Sequence, residues 1–295
     1  MQDLYGLTDW ADHWRKLVEG REAQAQRLRE RAGLTASNFW DQRAEGFRRA
    51  TQSRAGEQDP LLALVTPHVT PESTVLDAGA GVGRHTLPLA GMVRSVTAVE
   101  PSEGMRSFLE ADVAEQSVRN ITIVPAAWED AQVEPCDIVI CSHVVYFVAD
   151  IRLFLEKLQR NAKKFCFMVI RTTQRDGHLA GLWQRVHGEA LVPETGAVEL
   201  FNAIYQCLGV IPNVEVTPFR VGRGPMASYA SFDEALTGVR EQLYLVPGDP
   251  RESMIREHLG AAGLVEQEGR FVLPGRSTGA AILWWSNEPG SWNRV

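Results

Sequence analysis

The chain has 295 residues, of which 44% are hydrophobic and 23% charged, with a formal net charge of −7. Such a composition excludes low-complexity and fibrous proteins and leaves room for one large domain or two small ones. No apolar run approaches the roughly 18–20 residues that cross a bilayer, and no Lys/Arg cluster is broad enough for a nucleic-acid footprint, so a membrane partner is not expected and a nucleic acid is disfavoured.

The N-terminal "MQDLYGLTDWADHWRK" carries acids and lacks the apolar core of a signal peptide, so a cytoplasmic location is expected. Residues 9–32 read as a helix rich in strong helix formers, with Trp10, Trp14 and Leu17 at three- and four-residue spacing and Gly33 as its stop. A second helix is expected in "TASNFWDQRAEGFRRATQ", with Ser37 as N-cap and Phe39, Trp40, Ala44 and Phe47 on one stripe. "SRAGEQDP" then reads as a polar loop.

From residue 72 apolar strands alternate with helices. "TVLDAGA", "SVTAVE", "ITIVPA", "CDIVICSHVVYF" and "KKFCFMVIR" are the strand segments, and "DIRLFLEKLQRN" is a helix capped by Asp150. Near-continuous apolar strands mark a parallel sheet covered on both faces, and the alternation means right-handed βαβ units. The rhythm breaks over 172–230, which reads as an insertion or cap, before "SFDEALTGVREQL" opens with Ser231 and Glu234 as a capping box. "VEQEGRFVLPGRSTGAAILWWS" reads as two antiparallel strands closing around "PGRST". The cysteines Cys136, Cys141, Cys166 and Cys207 lack Cys-x-x-Cys spacing and read as buried thiols, with neither a disulfide nor a metal expected.

The stretch "VLDAGAGVGRHTLPLA" concentrates chemistry. Gly79, Gly81 and Gly83 follow a strand and open a helix, the arrangement that brings backbone N–H groups close to a ligand. A dinucleotide fingerprint would place its third glycine at position 84, where this chain has arginine. Asp77 precedes the loop, where an anion would repel a pyrophosphate and welcome a ligand with ammonium and sulfonium centres.

These residues resemble the first motif of the class I S-adenosylmethionine-dependent methyltransferases, and the resemblance continues in order over 72–171. Glu100 stands where that family keeps an acid for the ribose hydroxyls, "PSEGM" resembles the stretch that puts Pro101 and Met105 near the adenine, and "VPAAWEDA" and "CSHVVYFVADIRLFLEKL" resemble the later segments. The resemblance implies an α/β fold with a doubly wound, mainly parallel seven-stranded sheet. It further implies an N-terminal helical lid over 1–60, a cofactor-binding core over 61–171, the insertion over 172–230 and the rest of the core over 231–295. It implies S-adenosyl-L-methionine as cofactor, leaving as S-adenosyl-L-homocysteine, held by Asp77, Gly79, Ala80, Gly81, Gly83, Glu100, Pro101, Met105, Ala127, Trp128, Ser142 and Trp40. Many relatives carry an aspartate where Ala127 stands, so the adenine contact is expected from the backbone, Glu129 or Asp130, with Trp128 stacking on the base.

The expected reaction is metal-free, in-line methyl transfer to an O, N or S nucleophile of a small molecule, since "SHVVYF" carries neither an Asn/Asp-Pro-Pro-Tyr stretch nor a metal-ligating aspartate. His143 is the candidate base, or else a loop histidine that shapes the pocket, and Tyr146 lines the acceptor site or packs. His85 reads chiefly as a packing residue. Phe39, Trp40 and Arg43 resemble the family's lid, while Trp183, His187 and Arg223 are acceptor-pocket candidates against a plainer packing role. A nicotinamide-dependent oxidoreductase and a non-catalytic cofactor-binding subunit are the alternatives.

Overall fold

A computed structural model describes residues 8–34, 44–52, 58–172, 174, 176–218, 228–267, 269–273, 279–288 and 290. Seven strands form the main sheet: β1 (Thr74–Ala78), β2 (Ser95–Val99), β3 (Ile121–Val124), β4 (Cys136–Ser142), β5 (Ala162–Arg171), β6 (Asn213–Pro218) and β9 (Gly279–Ser286). Their order is β3-β2-β1-β4-β5-β9-β6. The five strands from β3 to β5 are parallel, and β9 runs antiparallel to both β5 and β6. The order reverses between β1 and β4, so the crevice for a ligand opens at the carboxyl ends of β1, β2 and β4.

Both faces are covered, which is why the strands read as unbroken apolar runs. On one face α3 (Pro60–Val65) and α4 (Thr86–Ala90) bury Leu61, Val65 and Leu89 against Val75, Ile138, Ile140, Phe167 and Ile282. On the other, α1 (Trp10–Ala32), α6 (Ile151–Asn161) and α8 (Ala197–Leu208) pack on Leu76, Val139, Cys166 and Trp285. Asp150 caps α6 through the Leu153 N–H, and Ile151, Phe154, Leu155 and Leu158 of that helix are buried.

Three expectations change. First, α1 is a packed core helix, not a lid: Trp14 is fully buried and donates its ring N–H to Val148 O at 2.7 Å. Second, the segment 172–230 is not one insertion. Within it α8 covers the sheet, and Asn213–Pro218 is the edge strand β6. Third, the closing pair is β9 with β6, which lie far apart in sequence. The residues before "PGRST" instead form a separate hairpin of β7 (Val265–Gln267) and β8 (Arg270–Val272). A second core then joins α7 (Ala180–His187), α9 (Phe232–Gln242) and α10 (Glu252–Ala262), with Leu182, Trp183, Val186, Leu236, Val239, Ile255 and Leu259 buried together. The expected boundary at residue 230 thus falls inside a unit assembled from both sides of it.

Candidate cofactor and acceptor site

The glycine loop between β1 and α4 is built by its own backbone. The N–H groups of Gly79 and Ala80 both donate to Val99 O, at 2.8 and 3.0 Å, tying the loop to the end of β2. Gly79 and Gly83 have φ of 87° and 86°, and a Cβ on either would lie 2.2 Å from Val144 Cγ2 or 2.5 Å from Leu109 Cδ1. Gly81 is different. Its φ is 57°, yet nothing stands within 4 Å of where its Cβ would be. Gly79→Ala is therefore expected to destabilise the protein by roughly 2–4 kcal/mol, from left-handed strain and overpacking. Gly81→Ala should cost only about 1–2 kcal/mol of strain while closing the open space a ligand would use. Thermal unfolding and ligand titration of the two variants separate these effects.

Two acids flank this loop. Asp77, 1% exposed, accepts the Thr86 hydroxyl on Oδ2 at 2.7 Å, and its Oδ1 has no hydrogen-bond partner among the described residues. Burial pushes its carboxyl pKa up, with the charge of His85 and the Thr86 bond opposing. Glu100 accepts Gly81 N–H on Oε2 and Ser102 N–H on Oε1, each at 2.8 Å. Burial raises its pKa too, those two bonds opposing and Asp77 adding to the rise. A buried, desolvated acid with an idle oxygen lacks a partner, and a cationic group supplies one. Each Glu100 oxygen keeps lone-pair capacity beyond its backbone bond, which suits vicinal hydroxyls.

Beyond Glu100, Pro101 is exposed, and Arg106 donates to the carbonyls of both residues, at 3.0 and 2.6 Å. Met105, in α5 (Glu103–Glu115), is buried with Val82 of the loop and Ala44 of α2 (Ala44–Gln52), so α2 covers the loop. Arg48 of α2 ties it to α5 through Asp112 at 2.8 Å.

The turn after β3 corrects the expectation for Trp128. Its ring is 3% exposed, edge-on to Phe154 and bonded to Phe154 O, so it belongs to the core and not to a base-stacking site. The turn is organised by Lys157, missed in the sequence, whose ammonium donates to the carbonyls of Trp128, Glu129 and Ala131 at 2.5, 3.0 and 2.7 Å. Ala127, half-buried, opens that turn and accepts the Asp130 and Ala131 N–H groups.

At the end of β4, Ser142 and His143 are half-buried. His143 has φ of 60°, a strained conformation for a non-glycine residue, and its N–H is tied to Val169 O at 2.9 Å. Its Nδ1 lies 2.9 Å from the Tyr146 hydroxyl, which accepts the Arg171 N–H at the same distance. The Arg171 guanidinium sits 4.3 Å from the Tyr146 ring centroid. Ser142 and His143 line a small recess, open to solvent, together with Asp59, Pro60, Leu61, Arg84, His85, Val169, Thr217, Ala280 and Ile282.

Asp59 was also hidden in the sequence. It caps α3 through the Leu61 and Leu62 N–H groups on Oδ1, while its Oδ2 accepts Arg84 Nε and Nη2 at 2.9 and 2.6 Å and lies 3.4 Å from His85 Nε2. Burial works against this carboxylate, but the His85 hydrogen bond and the charges of His85 and Arg84 outweigh it and hold the pKa far below the usual range. The Asp-Pro pair at 59–60 carries the signal of a helix start.

Trp183 and His187 do not join the recess. They pack in the second core, 4.8 Å apart between ring centroids, with His187 Nε2 at 3.0 Å from Leu243 O. Their helical face is turned into that core by Leu182 and Val186, which corrects their assignment to the acceptor. Phe39, Trp40, Arg43 and Arg223 lie outside the described residues.

Residues 76–170 match the family model described as a methyltransferase domain, and the sheet order is that of the class I, Rossmann-like methyltransferase fold. In sequence the chain is similar to a Haemophilus influenzae protein described as uncharacterized, 28% identical over 169 residues, a match covering 57% of this chain and 62% of that protein. Among solved structures it is similar to the YcgJ protein of Bacillus subtilis, with a TM-score of 0.52 at 18% identity, covering 78% of this chain and 97% of that one. A magnesium protoporphyrin IX methyltransferase from Synechocystis, solved with S-adenosylhomocysteine, gives 0.46 at 18% identity, covering 72% and 94%.

Proposed function

We propose that the chain is an enzyme that transfers a methyl group, without a metal, to an O, N or S nucleophile of a small molecule. One observation carries this: two buried acids, Asp77 and Glu100, flank a glycine loop whose central glycine faces open space, and one acid keeps an idle oxygen. In this reading Asp77 takes the cofactor's charged amino-acid end and Glu100 its ribose. The backbone of Gly79–Gly83 admits the chain between them, and the turn from Ala127 held by Lys157 borders the base, with Pro101 and Met105 nearby. The cofactor supplies an electrophilic methyl group on a sulfonium leaving group. The protein supplies alignment and exclusion of water.

Support for the reacting end comes from His143. It is strained at the end of β4, bonded through Nδ1 to Tyr146, and borders the recess, so it orients the acceptor and governs its proton. The end of β4 and the position after it carry Cys141, Ser142 and His143, with no carboxylate among them to hold a divalent cation.

The test is release of S-adenosylhomocysteine when the protein meets S-adenosylmethionine and a cell extract split into small-molecule and macromolecular fractions. Stimulation by the small-molecule fraction is expected, and stimulation by the macromolecular fraction alone contradicts the reading. Tyr146→Phe should cut that turnover by tenfold or more, the loss of one hydrogen bond of about 1.5 kcal/mol in the transition state, and leave S-adenosylhomocysteine affinity unchanged.

A further inference from the structure

We infer that His85 and Asp77 share one proton in the ligand-free protein, and that the cationic end of the cofactor expels this proton when it binds. His85 is then a positioning residue, acting on the cofactor only through Asp77. The inference rests on the proposed function above and adds a pH control to the same site.

The fold brings the ends of three elements together here. Asp77 lies in the last turn of the pleat of β1, just before the glycine loop. His85 stands immediately before α4, and its neighbour Thr86 donates its hydroxyl to Asp77 Oδ2 at 2.7 Å. Asp59, the cap of α3, sets its Oδ2 3.4 Å from His85 Nε2. His85 is 6% exposed and neighbours two acids: it faces Asp59 directly, and its charge acts on Asp77. An imidazole takes up and gives up its proton near neutral pH, and Asp59 is a ready counter-ion for the charged form.

Around this pair, among the described residues, the other charged and titratable groups come from each neighbouring element. Arg84, in the loop before α4, donates Nε and Nη2 to Asp59 Oδ2 at 2.9 and 2.6 Å. Cys141 of β4 is 1% exposed, and burial keeps it a neutral thiol. His143 lines the same recess as His85 from the end of β4. Glu100, at the end of β2, holds the Gly81 and Ser102 N–H groups and feels the charge of Asp77. Asp77 accepts a hydrogen bond from Thr86 and keeps Oδ1 idle.

A desolvated carboxylate with an idle oxygen is costly, and a proton relieves the cost whether it sits on the acid or on the imidazole beside it. The proton belongs to the pair, since the two groups titrate together. An ammonium brought to Asp77 compensates the same charge and repels an imidazolium, so ligand and proton compete and the proton leaves to solvent. Where the pair is occupied, affinity therefore rises with pH, and it levels off once the pair is empty. Removing His85 leaves Asp77 as the sole holder, so the ligand meets less competition at acid pH.

The test is calorimetric titration with S-adenosylhomocysteine in buffers of different ionisation heat, from about pH 5 to about pH 7, where the ligand's amine stays charged. Proton release is expected at the acid end and fades as pH rises, with affinity rising in step. His85→Gln should bind about threefold tighter than wild type, or better, at the acid end, the gap closing as pH rises, with its release profile moved to lower pH. Asp59→Asn, which removes the counter-ion, should move the profile the same way. A gain in affinity on losing a buried side chain is not what a packing role of His85 produces. The inference is overturned if binding releases no proton anywhere in that range, if the His85→Gln profile superimposes on wild type, or if the Asp59→Asn profile moves to higher pH. Failure of S-adenosylhomocysteine to bind wild type at any pH strikes the cofactor assignment instead.

Discussion

Asp77→Asn is expected to raise the melting temperature of the ligand-free protein and to weaken S-adenosylhomocysteine binding at least thirtyfold. The two effects share one cause. Asp77 is 1% exposed, with one oxygen bonded to Thr86 and the other idle, so the ligand-free fold carries the cost of a desolvated charge. Removing that charge should return roughly 1–3 kcal/mol of stability. Losing the acid's pairing with a cationic ligand should cost about 2 kcal/mol or more of binding, which is the thirtyfold.

The pH dependence follows from the raised pKa. Between the ordinary carboxyl value of 3.8 and the higher folded value, the folded state holds a proton that the unfolded state has lost. Stability is therefore unpenalised below the ordinary value and is lost as pH rises through the folded one. The gap in melting temperature between Asp77→Asn and wild type should open from about pH 4 upward and then level off. Asp59, whose pKa is shifted the opposite way, is present in both proteins and cancels from the difference. Equal melting temperatures at every pH would contradict the desolvated-acid account.

Glu100→Ala is expected to weaken S-adenosylhomocysteine about a hundredfold, and the near-isosteric Glu100→Gln to rescue little of it. Both carboxylate oxygens accept backbone N–H groups, from Gly81 and from Ser102. A glutamine must turn its NH₂ toward one of those donors, so one contact becomes donor against donor. Losing the ribose partner and the brace of the glycine loop together is worth roughly 3 kcal/mol. The ribose role has its own readout. Removing the 2′-hydroxyl from the ligand should cost affinity in wild type and little in Glu100→Ala, a non-additivity that a purely structural role of Glu100 does not produce.

The parts of the site that were legible in the sequence are those fixed by local backbone chemistry. Gly79, Gly81 and Gly83 needed positive φ, and Asp77 and Glu100 stand at strand ends whose apolar runs announce them. The parts that escaped depend on partners distant in the chain. β6 and β9 pair across more than sixty residues, so neither half of the pair declares the other. Asp59 read as one polar residue in a loop until the fold set it against Arg84 and His85. Trp128 has the composition of a stacking residue, and only the packing of α6 shows that its ring faces Phe154. Trp183 and His187 sit on one helical face, as their spacing required, but that spacing could not say that the face is buried by α9 and α10.

The most direct measurement is calorimetric titration of the purified protein with S-adenosylmethionine, S-adenosylhomocysteine and the nicotinamide dinucleotides. The acids flanking the glycine loop predict saturable binding of the first two, weakened at least thirtyfold in Asp77→Asn and about a hundredfold in Glu100→Ala, and no binding of a dinucleotide, whose pyrophosphate Asp77 repels. Binding of a dinucleotide in place of S-adenosylmethionine would contradict the assignment of this site.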